Sequence, residues 1–156
     1  MGTLPITNNN PFALIQTFGK ANKWRGLINQ LPSGFLVFDN AENGVRAGFI
    51  NFFNTYLARG VNTIESIFPI YAPEKDKNKH EQYIQAVVKL TKIKRNEPIT
   101  TAEQILAIGR AIIRVESGKD WIDNATLITG YQLAANQVEL PKLTNKIVRL
   151  SIPFFF

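Results

Sequence analysis

The chain has no cysteine and a single histidine in 156 residues. The first absence excludes disulfides and thiol catalysis, and fits either redox compartment. The second means that a Ser-His-Asp triad would have to use His80, and that a histidine-based metal site would lack partners. His80 lies in the charged stretch from Lys75 to Glu81 and reads as a solvated residue at a helix start. No metal or other cofactor is expected. No apolar run approaches the ~20 residues of a membrane span. The opening Met1-Gly2-Thr3-Leu4-Pro5 lacks a basic segment followed by an apolar core, so it does not read as a secretory signal, and position 6 does not fit a myristoylation pattern. Acidic residues are in the minority, 12 against 18 lysines and arginines, for a net charge of +6. Hydrolytic chemistry is left to carboxylates, hydroxyls, lysines and tyrosines.

What is present describes one folded domain. Hydrophobic residues make up 45% of the chain and charged residues 19%, too apolar for a disordered segment and long enough for a sizeable core. The sequence pI is about 9.7. Cations recur in small groups: Lys20, Lys23 and Arg25; Lys75, Lys77 and Lys79; Lys89, Lys92, Lys94 and Arg95. Such a balance favours polyanionic partners, whether nucleic acid, anionic lipid or an acidic cell-wall polymer, although dispersed lysines commonly serve solubility alone. No nucleic-acid motif accompanies the charge, and no specific nucleic acid is expected.

Residues 6–10 run Ile-Thr-Asn-Asn-Asn into Pro11, which favours turns and extended backbone. Phe12 to Gln16 fits a short strand or a helical turn. Gly19 to Gly26 is a basic loop holding Trp24, and Gly34 to Phe38 reads as a buried strand after the Pro32-Ser33-Gly34 turn. Asp39 with Glu42 forms a variant capping box for a helix carrying Val45, Phe49, Phe52, Phe53 and Tyr56, which Gly60 ends. Asn62 and Glu65 suggest a second cap, for a short helix stopping at Pro69. A third helix covers Lys79 to Thr91, with Ile84, Val87, Val88 and Thr91 inward. After the basic linker Lys92 to Ile99, a helix runs from Thr101 to Ser117 with Gly118 as its stop. Another, from Asp123 to Ala135, buries Ile128 and Tyr131. Past Pro141 the pattern changes to a C-terminal extension over residues 136–156, with a candidate strand at Lys146 to Ile152 and an apolar tail of Phe154, Phe155 and Phe156. The tail docks on the core by default, or else on a capsid or membrane component. The sum is a mainly helical α+β domain of about five helices and one or two short strands.

One carboxylate stands out. In the helix ending at Ser117, Ile105, Ile108, Ile112 and Val115 form an apolar stripe at about 100° per residue, and Glu103, Ala107, Arg110 and Arg114 fall opposite. Glu116 lands within roughly 20° of Ile105, on the apolar side. Burial raises a carboxyl pKa, which suits a general acid working near neutral pH. Taken alone, the segment also fits a helix end that has just left the core, and that is its plainer reading.

The run Ala111-Ile112-Ile113-Arg114-Val115-Glu116-Ser117-Gly118 resembles the catalytic helix of lysozyme-like peptidoglycan hydrolases. Asn8-Asn9-Asn10-Pro11, Trp24-Arg25-Gly26, Gly34 to Asp39, Glu42 to Ala47, Asn62-Thr63-Ile64, Tyr71-Ala72-Pro73, Tyr83-Ile84 and Thr129 to Ala134 are similar, in that order, to bacteriophage virion-associated lytic enzymes. The resemblance covers roughly residues 8–135. It implies a lysozyme-like fold that is circularly permuted, because the Asn-containing loop and the helix cap here precede the Glu-bearing helix. It implies that Glu116 protonates the glycosidic oxygen between N-acetylmuramic acid and N-acetylglucosamine, most simply as a lytic transglycosylase. It implies peptidoglycan as partner, a virion location, and action in the host cell wall or periplasm.

Asn10 would hydrogen-bond an N-acetyl group. Trp24, Tyr71 and Tyr131 would stack on sugar rings or brace Glu116, against ordinary core packing for each. Phe12-Ala13-Leu14-Ile15 departs from the family's Gly-Asn-Ile type segment, and Lys75, Lys77 and Lys79 replace an acidic partner. Of the candidates for a second carboxylate, Asp39, Glu42, Asp120 and Asp123, none stands out. The alternatives are a non-catalytic virion protein that keeps the fold, and a basic nucleic-acid-binding or scaffold protein.

Overall fold

The computed structural model describes residues 3–71 and 77–144. The fold is mainly helical, with α1 (Thr3–Thr7), β1 (Leu27–Gln30), β2 (Leu36–Phe38), α2 (Ala41–Thr55), α3 (Ile64–Tyr71), α4 (Lys77–Thr91), α5 (Ala102–Ser117) and α6 (Asn124–Ala135). A 3-10 turn at Leu57–Arg59 follows α2 and closes on left-handed Gly60. The candidate strand at Lys146 to Ile152 and the Phe154–Phe156 tail lie outside the described residues.

The caps explain the helix starts, and two differ from expectation. Asn40, not Asp39, caps α2: its side chain accepts from the Asn43 amide, while Asp39 accepts from the Asn43 side chain at 2.9 Å. Both residue types cap well, so only backbone geometry separates neighbours. Thr63 replaces Asn62 ahead of α3, exchanging hydrogen bonds with Ser66, and Glu65 pairs instead with Arg95 at 2.6 Å. Pro69 does not stop α3, which continues to Tyr71. α5 begins as expected in a full capping box between Thr101 and Gln104, and ends on Gly118 at φ 75°. Asp123 caps α6.

The small sheet has an element the sequence pattern hid. β1 pairs antiparallel with β2 through a bulge between Leu27 and Asn29, and Ile15 forms an isolated bridge to Phe35. β1 carries exposed Ile28 and Asn29 in succession, so it never shows the alternation that marks a half-buried strand. α1 takes in Ile6 and Thr7, where turns or extended backbone were expected, and the turn follows at Asn8 and Asn9.

α2 packs on α6, α4 on both α3 and α5, and α5 touches α6 and α1. Phe12 and Phe49 meet edge to face, with ring centres 5.1 Å apart, at the middle of the core. Gly48 lets α2 close on this pair, since a Cβ there would stand 2.2 Å from the Phe12 ring. One further expectation fails in α5. Arg110 does not lie on a solvated face; it is fully buried, because Asp120 meets it at 2.7 Å and the Ile122 carbonyl accepts from it at 2.9 Å. A paired and hydrogen-bonded charge can be buried where an isolated one cannot. α5 therefore runs through the interior with little solvated surface along its middle.

Candidate functional site

Glu116 sits in the last turn of α5, half-buried. Burial drives its carboxyl pKa upward, opposed by the Tyr83 hydroxyl, which donates to Oε1 at 3.1 Å. A donor to the ionised form favours it, whereas desolvation favours the neutral form, and desolvation wins here. α4 supplies Tyr83, whose ring stacks on Phe68 of α3 at 4.9 Å. The Tyr71 ring, at the end of α3, lies 6.1 Å from that of Tyr83 and 6.1 Å from that of Tyr56, just after α2. Tyr71 donates to the Phe12 carbonyl at 2.6 Å. Burial first, then the negative charge of Glu116, pushes the pKa values of both Tyr71 and Tyr83 well above the usual phenol range. Both remain neutral at working pH. The site is thus a carboxyl group backed by three phenol rings, joined by the ends of α2, α3 and α5 and the first half of α4.

Of the residues singled out in the sequence, the structure groups only Tyr71 with Glu116. Asn10 is fully buried: its Nδ2 donates to the carbonyls of Leu14 and Leu36, and its Oδ1 accepts from the Leu14 amide, at 2.9 to 3.0 Å. The side chain clamps residues 10–14 onto β2 and offers nothing to a sugar. Tyr131 is also fully buried, with its ring on Phe49 and its hydroxyl on the Pro141 carbonyl at 2.5 Å. It is core, not a stacking platform. Half-buried Trp24 donates its indole N–H to Gln16 at 3.1 Å and organises its own loop. His80 does lie at a helix start, in the first turn of α4, but it is half-buried rather than solvated, and its Nε2 is shielded without a hydrogen-bond partner among the described residues.

Tyr83 is the neighbour of Glu116 to which sequence reasoning assigned no role. Its signals were the Tyr83-Ile84 pair within the resemblance and an aromatic ring at the edge of the Ile84/Val87 stripe, a position that also fits packing. Of the four candidates for a second acid, three are engaged elsewhere; half-buried Glu42, in the first turn of α2, is not among those three. Asp120 is held by Arg110, Asp123 caps α6 through the Thr126 amide at 2.7 Å, and Asp39 is turned to Asn43. An open cleft of about 320 Å³ lies apart from these residues, lined by Gln132, Ala135, Asn136, Lys142 and Leu143. Among the described residues no helix is long and apolar enough to cross a membrane.

No family model matches the chain. Over 117 residues it is 32% identical to Protein P5 of Pseudoalteromonas phage PM2, a stretch that covers 74% of this chain and 71% of that protein. With similarity at that level over most of both chains, this protein belongs to the family of the phage PM2 Protein P5.

Proposed function

We propose that this phage-family protein cleaves peptidoglycan between N-acetylmuramic acid and N-acetylglucosamine as a lysozyme-like lytic transglycosylase. The observation that carries the reading is Glu116, a half-buried carboxyl whose pKa burial raises and whose Oε1 accepts from the Tyr83 hydroxyl. A protonated Glu116 donates its proton to the glycosidic oxygen as the bond from the muramic C1 breaks. The resulting carboxylate then accepts the proton of that sugar's 6-hydroxyl, whose oxygen closes on C1 to form the 1,6-anhydro ring. The cycle restores the acid, consumes no water and needs no second carboxylate, which agrees with the occupied state of Asp39, Asp120 and Asp123. In this reading Tyr71 and Tyr83 form the wall behind the acid. A virion location, with action in the host cell wall during genome entry or lysis, follows from the same reading and the phage kinship.

A second reading, a non-catalytic virion protein that keeps the fold, draws support from Asn10 and Tyr131, both consumed in the core. Purified protein and a Glu116→Gln variant, incubated with peptidoglycan sacculi, separate the two. Anhydro-muropeptides in the mass spectrum from the wild type alone establish the transglycosylase. Reducing-end products make the enzyme a hydrolase. No products from folded wild type support the structural reading.

A further inference from the structure

Residues 1–38 carry three cationic side chains, Lys20, Lys23 and Arg25, and no aspartate or glutamate; Asp39 is the first acid in the chain. All three cations are exposed, and none meets a carboxylate among the described residues. The same stretch leaves large apolar side chains in water. Among the described residues the three most exposed are Ile28 at 66%, Ile15 at 64% and Phe18 at 59%.

These residues belong to one small unit. Ile15 bridges Phe35, and Ile28 is the residue that the bulge adds to β1, turned outward with Asn29. Phe18 stands at the tip of a tight turn, in which the Lys20 amide donates to the Thr17 carbonyl at 2.9 Å and Gly19 takes φ 78°. Two glutamines hold the unit in shape. The Gln30 side chain donates to the Gln16 carbonyl and accepts from the Gly19 amide, each at 2.9 Å, which ties the turn to β1. The Gln16 side chain accepts from the Asn22 amide at 2.9 Å and from the Trp24 indole at 3.1 Å, which ties down the segment bearing Lys23 and Arg25. Phe18 and the cations are thus presented by a hydrogen-bonded loop. Singly exposed apolar residues are ordinary, but three on one such unit, beside cations without counter-charges, mark an interaction surface.

The chemistry selects the partner. A twofold contact between copies through this unit would set Lys20, Lys23 and Arg25 against their own equivalents, with no acid from residues 1–38 to offset them. Apolar tips on separate projections, next to lysines with long apolar stems, suit the boundary between acyl chains and headgroups, which asks for no matching shape. The excess of cations calls for negative headgroups. We propose that this unit is a peripheral docking surface for an anionic lipid bilayer: Ile15, Phe18 and Ile28 enter the acyl–headgroup boundary, and Lys20, Lys23 and Arg25 lie against the headgroups. The protein adsorbs to one leaflet through it. The surface uses none of the residues around Glu116 and does not rest on glycan cleavage.

Co-sedimentation of the full chain with lipid vesicles tests this. The wild type pellets with phosphatidylcholine vesicles holding about a quarter phosphatidylglycerol, far less with phosphatidylcholine alone, and more weakly as salt rises. Each of Lys20→Gln, Lys23→Gln and Arg25→Gln lowers the partition coefficient roughly fivefold. Phe18→Ser lowers it roughly tenfold or more. All four variants change exposed side chains and keep the fold. Because the chain has no cysteine, one label reports orientation. An environment-sensitive fluorophore on Phe18→Cys shifts to the blue when the anionic vesicles are added, and the same fluorophore on Glu103→Cys, exposed on α5, does not. Equal shifts at the two positions overturn the surface. So does wild-type binding that Phe18→Ser and Lys20→Gln leave unchanged, which would assign adsorption to another part of the chain such as the Phe154–Phe156 tail. Failure of the wild type to pellet with anionic vesicles overturns it too, and lipid-free self-association that Phe18→Ser abolishes would make the unit a contact between copies instead.

Discussion

Tyr83 and Glu116 stand 33 positions apart in the chain, yet the phenol of one donates to the carboxylate of the other at 3.1 Å. The contact exists because α4 packs along α5 and ends the polar isolation of a residue at the helix terminus. Donation stabilises the ionised form of Glu116 against the desolvation that disfavours it. Tyr83→Phe removes the donor, so the Glu116 pKa rises. A general acid must be protonated, and activity falls as pH climbs through its pKa. Under the proposed function the alkaline limb of the pH–rate profile therefore moves to higher pH in Tyr83→Phe, while stability drops by about 1 kcal/mol. An unmoved limb in a folded variant removes Tyr83 from any role in tuning the acid.

Under the proposed transglycosylase reading, Glu116→Gln abolishes muropeptide release, with a loss of roughly 100- to 10,000-fold expected for a general acid. It also changes the pH dependence of stability, and the sign is opposite to that of an ion-paired carboxylate. The folded pKa lies above the unfolded one, so the native state binds more protons between the two values. Stability from this group is therefore full below the unfolded pKa and declines as pH rises through the folded one. The variant melts higher than the wild type at neutral pH, and the difference shrinks as pH falls below the ordinary carboxyl range. Equal pH slopes of Tm in the two proteins count against a desolvated Glu116.

Asn10→Ala leaves the Leu14 amide unsatisfied inside the protein and removes a donor from the Leu14 and Leu36 carbonyls, of which that of Leu14 still accepts from the Leu36 amide. Urea denaturation should show a loss of about 3 kcal/mol. Because the side chain touches no open surface, KM for glycan should stay unchanged at temperatures where the variant is folded. A raised KM with unchanged stability would restore Asn10 to the binding site.

Breaking the Arg110–Asp120 pair from one side strands a buried charge. Asp120→Asn and Arg110→Met should each lose about 3 kcal/mol or more, and the double variant should lose less than the sum. Additive losses in the double-mutant cycle would mean that the two side chains do not act as a pair.

Gly48→Ala places a methyl group against the Phe12 ring, where a Cβ would stand 2.2 Å away. Overpacking of this kind costs about 1–3 kcal/mol, read as a lower Tm. A neutral result would show that Phe12 can withdraw from the α2–α5 junction.

The helices were largely legible because each rests on local chemistry. Thr101 and Gly118 bracket α5 through a cap and a left-handed stop, and Asp123 caps α6, all within a few residues. Asn40 against Asp39, and Thr63 against Asn62, were not separable, since adjacent capping residues differ only in backbone angles. β1 stayed hidden because a bulge and two successive exposed residues erase its period. For the site, the position of Glu116 on the apolar side of α5 follows from helical spacing alone. That Tyr71 joins it, while Asn10 and Tyr131 are absorbed into the core, does not.

The sequence by itself determined a mainly helical chain, the ends of its longest helices, and a carboxylate placed on the buried side of one of them. These depend on spacings of three to four residues, which the helix repeat fixes. Only the tertiary structure decided which side chains face that carboxylate and that Arg110 is neutralised by Asp120. Those pairings join residues that helix packing brings together, and burial sets their energies, so no local pattern records them.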